Sequence, residues 1–267
     1  QQGTQIVEGG FDLHWRYTLS FLLLTHFFGT LSVDTPVVGT NTYQLDSNID
    51  GDALTVAIEK TVSVWEFAGY KVNEMVISGS PTDGLMIDVD GFSVNLDLSS
   101  VLNTTATLAA LALPGPFMVF QDLTFRIGDL VDALASPTDD VQIADFDITI
   151  TRNLEPTVVN SQQRLEALEN DFRESELSFT IPRYCTNFFV EAHQNHTPLQ
   201  ADITITDGVN TKTIRMPKLI ILEAPASVDG AGFIEQPVVA QLIPDPEGDN
   251  AFMTLQDVNS EIEITES

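Results

Sequence analysis

Between Tyr70 and Leu98 apolar and polar residues alternate with a period of two. Leu85, Ile87 and Val89 take turns with Met86, Asp88 and Asp90, which gives a strand with one buried and one wet face. After Gly91 the parity changes, and Phe92, Val94, Leu96 and Leu98 alternate with Ser93, Asn95 and Asp97. A slip of one residue at a glycine predicts a β-bulge there, which would bend the strand and return its apolar residues to the same face. The run Ser78-Gly79-Ser80-Pro81-Thr82-Asp83-Gly84 holds only turn formers and closes a long hairpin. Such a hairpin suits a strongly curved sheet, a sandwich or a barrel-like wall.

The rest of the chain falls into elements around it. Residues 1–10 are polar and glycine-bearing and read as an arm ordered only by packing. Phe11 to Phe28 reads as a helix with an apolar stripe at Trp15, Leu19, Leu22, Leu23 and Phe27, so wide that little of it can face water. Ser32 to Asp52 is loop-like apart from a strand at Thr42–Leu45, and Leu54–Phe67 reads as strand. Residues 99–116 form a long, partly helical excursion ended by Pro114-Gly115-Pro116. Strands follow at Phe117–Ile127 and Val141–Thr151, with a helical turn at Asp129–Ala135 between them. The polar stretch from 160 to 174 suits a connector. Beyond it come a strand at Glu176–Ile181, a helix at Tyr184–His193 and a hairpin of Ala201–Thr206 with Thr211–Met216. Strands at Leu219–Leu222, Ile234–Ile243 and Val258–Thr265 complete the set.

The order of elements repeats. FDLHWRYTLSFLLLTHFF, a strand-like lead into an aromatic helix, corresponds to FTIPRYCTNFFVEAHQN. YKVNEMVISGS corresponds to PKLIILEAPAS, LMIDVDGFSVNLDL to FIEQPVVAQLIPD, and VQIADFDITITRN to TLQDVNSEIEITES. Four matches in one order predict a duplicated β-domain: residues 1–155 with an insertion near 99–127, then residues 156–267.

Composition narrows the function. Across 267 residues, 39 acidic side chains outweigh 11 basic ones for a net charge of −28, so no basic cluster exists to neutralise phosphates. With 43% hydrophobic residues and 16 Phe the chain reads as folded rather than disordered. The lone cysteine, Cys185, rules out an intrachain disulfide and reads as a core or interface thiol. The start QQGTQIVEGG lacks the pattern of a secretory signal, and the longest apolar run, Leu19–Phe28, is short for a membrane span, so a soluble protein is expected.

Catalytic constellations are missing. His14, His26, His193 and His196 show no zinc-ligand spacing, and a Cys185–His193 pair lies more than two helical turns apart. No phosphate loop or nucleophile elbow occurs. The acidic loops at 48–52 and 245–250 could offer oxygen ligands to calcium, but solvated turns explain them better. Asn103-Thr104-Thr105 and Asn195-His196-Thr197 match the glycosylation acceptor pattern without a secretory context. The expectation is therefore no enzyme, with no catalytic, cofactor-binding or metal residues and no cofactor. A single-sign surface repels polyanions over about a Debye length, ~8 Å in physiological salt, as the inner wall of a DNA conduit should.

The segment Phe67–Leu98, with Gly69-Tyr70, KVNEMVISGSP and LMIDVDGFSVNL, resembles the major tail tube proteins of long-tailed bacterial and archaeal viruses. The helix ending at Phe28-Gly29 and the closing MPKLIILEAPASVDGAGFIEQPVVAQLIPDPEGDNAF fit the same pattern. The resemblance implies a mainly β fold of duplicated tail-tube β-sandwiches or curved sheets, with one flanking helix per half. Copies would join edge to edge into a ring whose inner strands form a lumen-lining β-barrel. Three two-domain copies would make a pseudo-hexamer, favoured over a true hexamer. Residues 1–10, 30–52 and 99–116 would stack the rings. The implied setting is the virion tail, assembled in the host cytoplasm, with tape measure, tail terminator and baseplate proteins as partners, DNA in transit and no membrane. Competing readings are another β-sandwich virion component, such as a decoration, terminator or baseplate protein, and a calcium-dependent carbohydrate-binding module. A hydrolase using paired acids finds no positioned partner.

Overall fold

A computed structural model of the chain describes residues 7–17, 21–34, 40–45, 53–111, 115–130, 133–157, 168–169, 173–226, 234–243 and 254–258. In order, these form β1 (Val7–His14), α1 (Phe21–Phe28), β2 (Gly29–Asp34), β3 (Thr40–Leu45), β4 (Leu54–Glu59), β5 (Val64–Ser80), β6 (Gly84–Asp97) and α2 (Thr105–Ala109). A 3-10 turn at Phe120–Asp122 leads into β7 (Leu123–Asp129), β8 (Asp140–Val141), β9 (Asp145–Thr151), β10 (Leu154–Glu155) and β11 (Leu168–Glu169). The chain closes with β12 (Glu174–Ile181), α3 (Phe188–Asn195), β13 (Pro198–Thr206), β14 (Thr211–Glu223), β15 (Gln236–Leu242) and β16 (Thr254–Val258). The fold is mainly β. One large antiparallel sheet runs β1-β6-β5-β9-β12-β15-β14-β13-β7-β8, with β4 added to β5 and β2-β3-β16 added to β14.

The long hairpin is present, but its bulge lies in the other arm. β6 keeps its register through Gly91, which faces Val72, whereas β5 slips between Val72 and Glu74. The extra residue is Asn73, whose side-chain oxygen accepts from the Leu154 backbone N–H at 2.7 Å. The parity change in β6 is therefore a change of face. Leu85, Ile87 and Val89 are buried on one side, while Phe92, Val94 and Leu96 sit half-buried on the other. Ser93 takes the slot facing the first side and satisfies its hydroxyl by donating toward Ala68 O at 2.7 Å or Asn95 O at 2.8 Å. Gly91 is required here, because a Cβ would stand 2.2 Å from the Lys71 carbonyl oxygen and 2.9 Å from the Tyr70 ring.

Other expectations shift with it. Residues 7–14 form an edge strand on β6, with eight paired positions from Val7↔Ser93 to His14↔Met86, so the arm is shorter and the helix begins only at Phe21. The ladder satisfies backbone groups that a helix starting at Phe11 would have had to satisfy within itself. Leu54–Phe67 is two strands, β4 and the start of β5, and Gly29–Asp34 is strand rather than loop. Asp129 ends β7, and no helical turn is found at 133–135. Leu219–Leu222 belongs to β14, which continues straight through Pro217. That proline lacks an N–H, and it falls where β16 pairing stops at Arg215, β15 pairing starts at Leu219 and the ladder to β13 shifts register. Of the ring-stacking segments expected, residues 1–6, 35–39, 46–52 and 112–114 lie outside the described residues, as do most of the 160–174 connector and residues 259–267, which hold most of the last strand expected.

The sheet curls until its distant strands face one another. Phe125 on β7 packs at a tilt against Phe179 of β12, with ring centres 4.9 Å apart, and Phe179 meets Phe189 of α3 edge-on at 5.5 Å. One end of the curl is tied shut: Trp15 N–H donates to Leu85 O, Met118 N–H donates to Trp15 O at 2.9 Å, and Arg16 bridges Phe117 on the way to β7. One apolar core fills the interior. The cross-strand row Ile87, Ile77, Ile148, Leu177 and Ala240 is almost wholly excluded from water, each residue adding roughly 1.5–3 kcal/mol where the side chain is large. α1 turns Leu23, Leu24, Phe27 and Phe28 inward and leaves Leu22 exposed, with Arg152 lying 5.1 Å over the Phe27 ring.

Candidate assembly surfaces

Across β1, β6, β5, β9 and β12 the face of the sheet opposite the core carries one sign of charge. Register places Asp12, Asp88, Val76, Thr149, Glu176 and Gln241 in one row across six strands. The next row is Gly10, Asp90, Glu74, Thr151 and Glu174, and beyond the first on its other side come His14, Met86, Ser78, Asp147 and Ser178. Neither Lys nor Arg occurs in these rows. The adjoining row holds Lys71, which is buried. Like charges stand directly opposite each other at Asp12↔Asp88 and Glu74↔Asp90, an arrangement that destabilises a sheet. Partial burial, with the Asp145 charge nearby, pushes the Asp147 carboxyl above its ordinary range. Burial likewise raises the Tyr70 phenol, reinforced by Asp90 and Asp88, and its hydroxyl donates to Gly9 O at 2.7 Å.

Long edges are left without partners among the described residues. β1 pairs only with β6, β4 only with β5, and β2 only with β3. β4 and the first part of β5 with the last part of β6 form a wing beyond the bulge. Val56, Phe67 and Leu96 share one of its faces, as do Ile58 and Trp65. The wing ends in the β4–β5 turn and residues 98–111, where α2 is started by a capping box between Thr104 and Thr107. Glu66 accepts from Ser100 Oγ at 2.6 Å and Asn103 Nδ2 at 2.7 Å, and these bonds hold its carboxyl below the usual range.

No group of three or more His, Cys, Asp or Glu able to hold a metal occurs among the described residues. His14 is exposed and packs edge-on against Phe117 at 5.4 Å, while His26 is buried. His193 contacts Ile221 O through Nδ1 at 3.2 Å, and His196 is the left-handed cap that ends α3. Cys185 is exposed rather than in the core. The acidic loops at 48–52 and 245–250 lie outside the described residues. Among the described residues no helix is long and apolar enough to cross a membrane. The gathering of carboxylates from five strands onto one face was only half visible in sequence. The Asp88/Asp90 and Asp145/Asp147 alternations marked polar faces, but which faces join depends on pairing between distant strands.

No curated protein matches the sequence. A family model described as phage tail tube protein matches residues 1–242, nearly the whole chain. The mainly β antiparallel architecture agrees with that match, and the chain belongs to the phage tail tube protein family, a structural component of the virion tail.

Proposed function

We propose that this chain polymerises as stacked rings into the hollow tube of a long, siphovirus-like tail, and that the acidic face of the sheet lines the bore through which viral DNA leaves. The observation that carries this reading is the single-sign face itself. Opposed pairs such as Asp12↔Asp88 cost folding stability and have no partner of opposite charge among the described residues. Facing a bore they keep a polyanion from adhering, over about a Debye length, ~8 Å in physiological salt. The free edges of β1 and β4 are where neighbouring copies extend the sheet, and ring closure removes edges that would otherwise aggregate.

Duplication is supported by strand order. β1-β6-β5 and β12-β15-β14 are matching antiparallel runs, and in each the strand leading to a helix borders the second strand of a hairpin-like pair. Residues 1–155 and 156–267 are joined where β9 pairs with β12, β7 with β13 and β3 with β16. With two tube domains per chain, three copies complete a pseudo-six-fold ring. Tape measure, terminator and baseplate proteins would meet the tube along its bore and at its ends. Electron microscopy of concentrated protein tests the reading. Hollow filaments with three chains per ring are expected; six chains per ring would remove the duplication argument. A chain that stays monomeric at every concentration would remove the tube.

A further inference from the structure

The longest stretch of the chain without Asp, Glu, Lys or Arg runs from Leu98 to Gln121. In a subunit of net charge −28, copies repel one another wherever acidic surfaces approach, so close contact is cheapest where charge is absent. The first part of this stretch meets the β4–β5 turn at the tip of the wing and is apolar outward: Val101 is 84% exposed and Leu102 77%, with Leu98 and Leu111 exposed too, and Val62 in the turn is 95% exposed. The tip is nonetheless held in shape. Ser100 N–H donates to Val64 O at 3.1 Å, Ser63 Oγ donates to Leu98 O at 2.6 Å, and Glu66 clamps Ser100 and Asn103. A fixed scaffold that presents bare valine and leucine is the signature of an interaction site.

A cavity of about 640 Å³ lies between the β7–β8 region and the start of α3, with Ile127, Val141, Ile181, Phe188 and Phe189 in its wall. Asp129, Asp139, Asp140 and Arg183 also line it, and so does Cys185. Register puts this cavity at the other end of the strands. Gly79 is level with Phe146, Phe146 with Phe179, and Thr180 with Pro237, so Ile181 lies near the β5–β6 turn. β5 runs 17 residues from the wing tip to that turn, roughly 55 Å at ~3.3 Å per residue. An apolar projection and a cavity with an apolar patch in its wall, at opposite ends of one subunit, make a head-to-tail pair, and head-to-tail contacts that do not close generate a filament.

We propose that the cavity between β8 and α3 is the socket for a second copy of this chain, receiving Val101 and Leu102 from the wing tip of the next copy along the tube. Val101 and Leu102 carry no charge themselves, so the side chains that enter add no carboxylate to the lining, while Glu66 is held back by its bonds to Ser100 and Asn103. This inference rests on the tube reading and assigns its axial contact. The lone cysteine supplies the test. In assembled Val101→Cys protein, oxidation or a short bismaleimide should link the new thiol to Cys185 of the neighbouring copy and give a ladder extending well beyond dimers. Val101→Cys with Cys185→Ser should give none, and neither should the wild type. Val62→Cys, in an exposed turn, serves as the second reporter if Val101→Cys does not assemble. Tubes that form but yield no ladder, or only dimers that persist with Cys185→Ser, overturn the socket while leaving the tube intact. Failure of wild-type protein to form any tube overturns the tube reading instead. Leu102→Asp should leave folded subunits, with unchanged circular dichroism, whose filament elongation falls at least tenfold. Unchanged elongation would also overturn the socket.

Discussion

Asp88 faces Asp12 directly across the β1–β6 ladder, and both are exposed on the acidic face. Two unit charges ~5 Å apart repel by about 0.8 kcal/mol at the dielectric of water, and splaying of the carboxylates reduces this to about 0.5 kcal/mol. Asp88→Asn should therefore stabilise the isolated subunit by about 0.5 kcal/mol, and Asp88→Lys, which turns repulsion into attraction, by about 1 kcal/mol. Urea unfolding followed by circular dichroism, at concentrations below assembly, measures both. A double-mutant cycle with Asp12→Asn isolates the pair from general charge effects. The gain should be largest at low ionic strength and fall by more than half at 1 M salt, where the Debye length is ~3 Å. If Asp88→Lys destabilises the subunit at low salt, or its effect is the same at 1 M, the claim that this face carries uncompensated repulsion fails. In assembled tubes the same substitution should make the particle retain DNA, read as slower genome release.

Gly91→Ala should cost about 3 kcal/mol, since the new methyl would press on the Lys71 carbonyl and Tyr70 ring; a denaturation midpoint equal to wild type would show that the strands can separate there. Phe179→Ala removes the ring that joins Phe125 to Phe189 and should cost 3–5 kcal/mol by the same assay, roughly as for other buried aromatics. Tyr70→Phe deletes the bond to Gly9 O and should cost about 1 kcal/mol, with faster amide exchange confined to β1. The raised Asp147 carboxyl means the folded chain holds that proton more tightly than the unfolded chain. Its stabilising contribution is complete below the unfolded carboxyl value, about pH 4, and is lost as pH rises through the higher folded value. Asp147→Asn should accordingly shrink the rise in melting temperature expected on acidification from neutral pH, and an unchanged rise would contradict the assignment.

Much of this architecture was legible where local pattern and long-range pairing agree. The Leu85–Val89 and Phe146–Ile150 alternations became central strands, and the Asp207–Asn210 turn became the hairpin loop. Legibility failed where a partner strand decides between conformations. Phe11, Leu13 and Trp15 fit a strand period as well as a helical stripe does, and the exposed edge of β6 selects the strand. The parity change at Gly91 announced a disturbance but not its location. Only the opposite arm shows that Asn73 is the extra residue and that β6 has exchanged faces instead. Residues 54–67 contain no strong breaker, so the Lys60–Ser63 turn was hidden in a run of strand formers. The acidic face could not be read at all beyond its separate segments, because five strands remote in sequence contribute to it.

The hairpin of β5 and β6 has a mechanical consequence. Its turn lies at the tied end of the curl, its wing extends past the bulge, and it is flanked by β1 along Met86–Ser93 and by β9 along Glu74–Gly79. Tension applied at the wing and directed along the strands cannot peel these ladders open one rung at a time, since the hydrogen bonds run across the pull. It must shear both flanks at once, so a subunit tugged lengthwise resists as a whole and passes the load to whatever grips its far end.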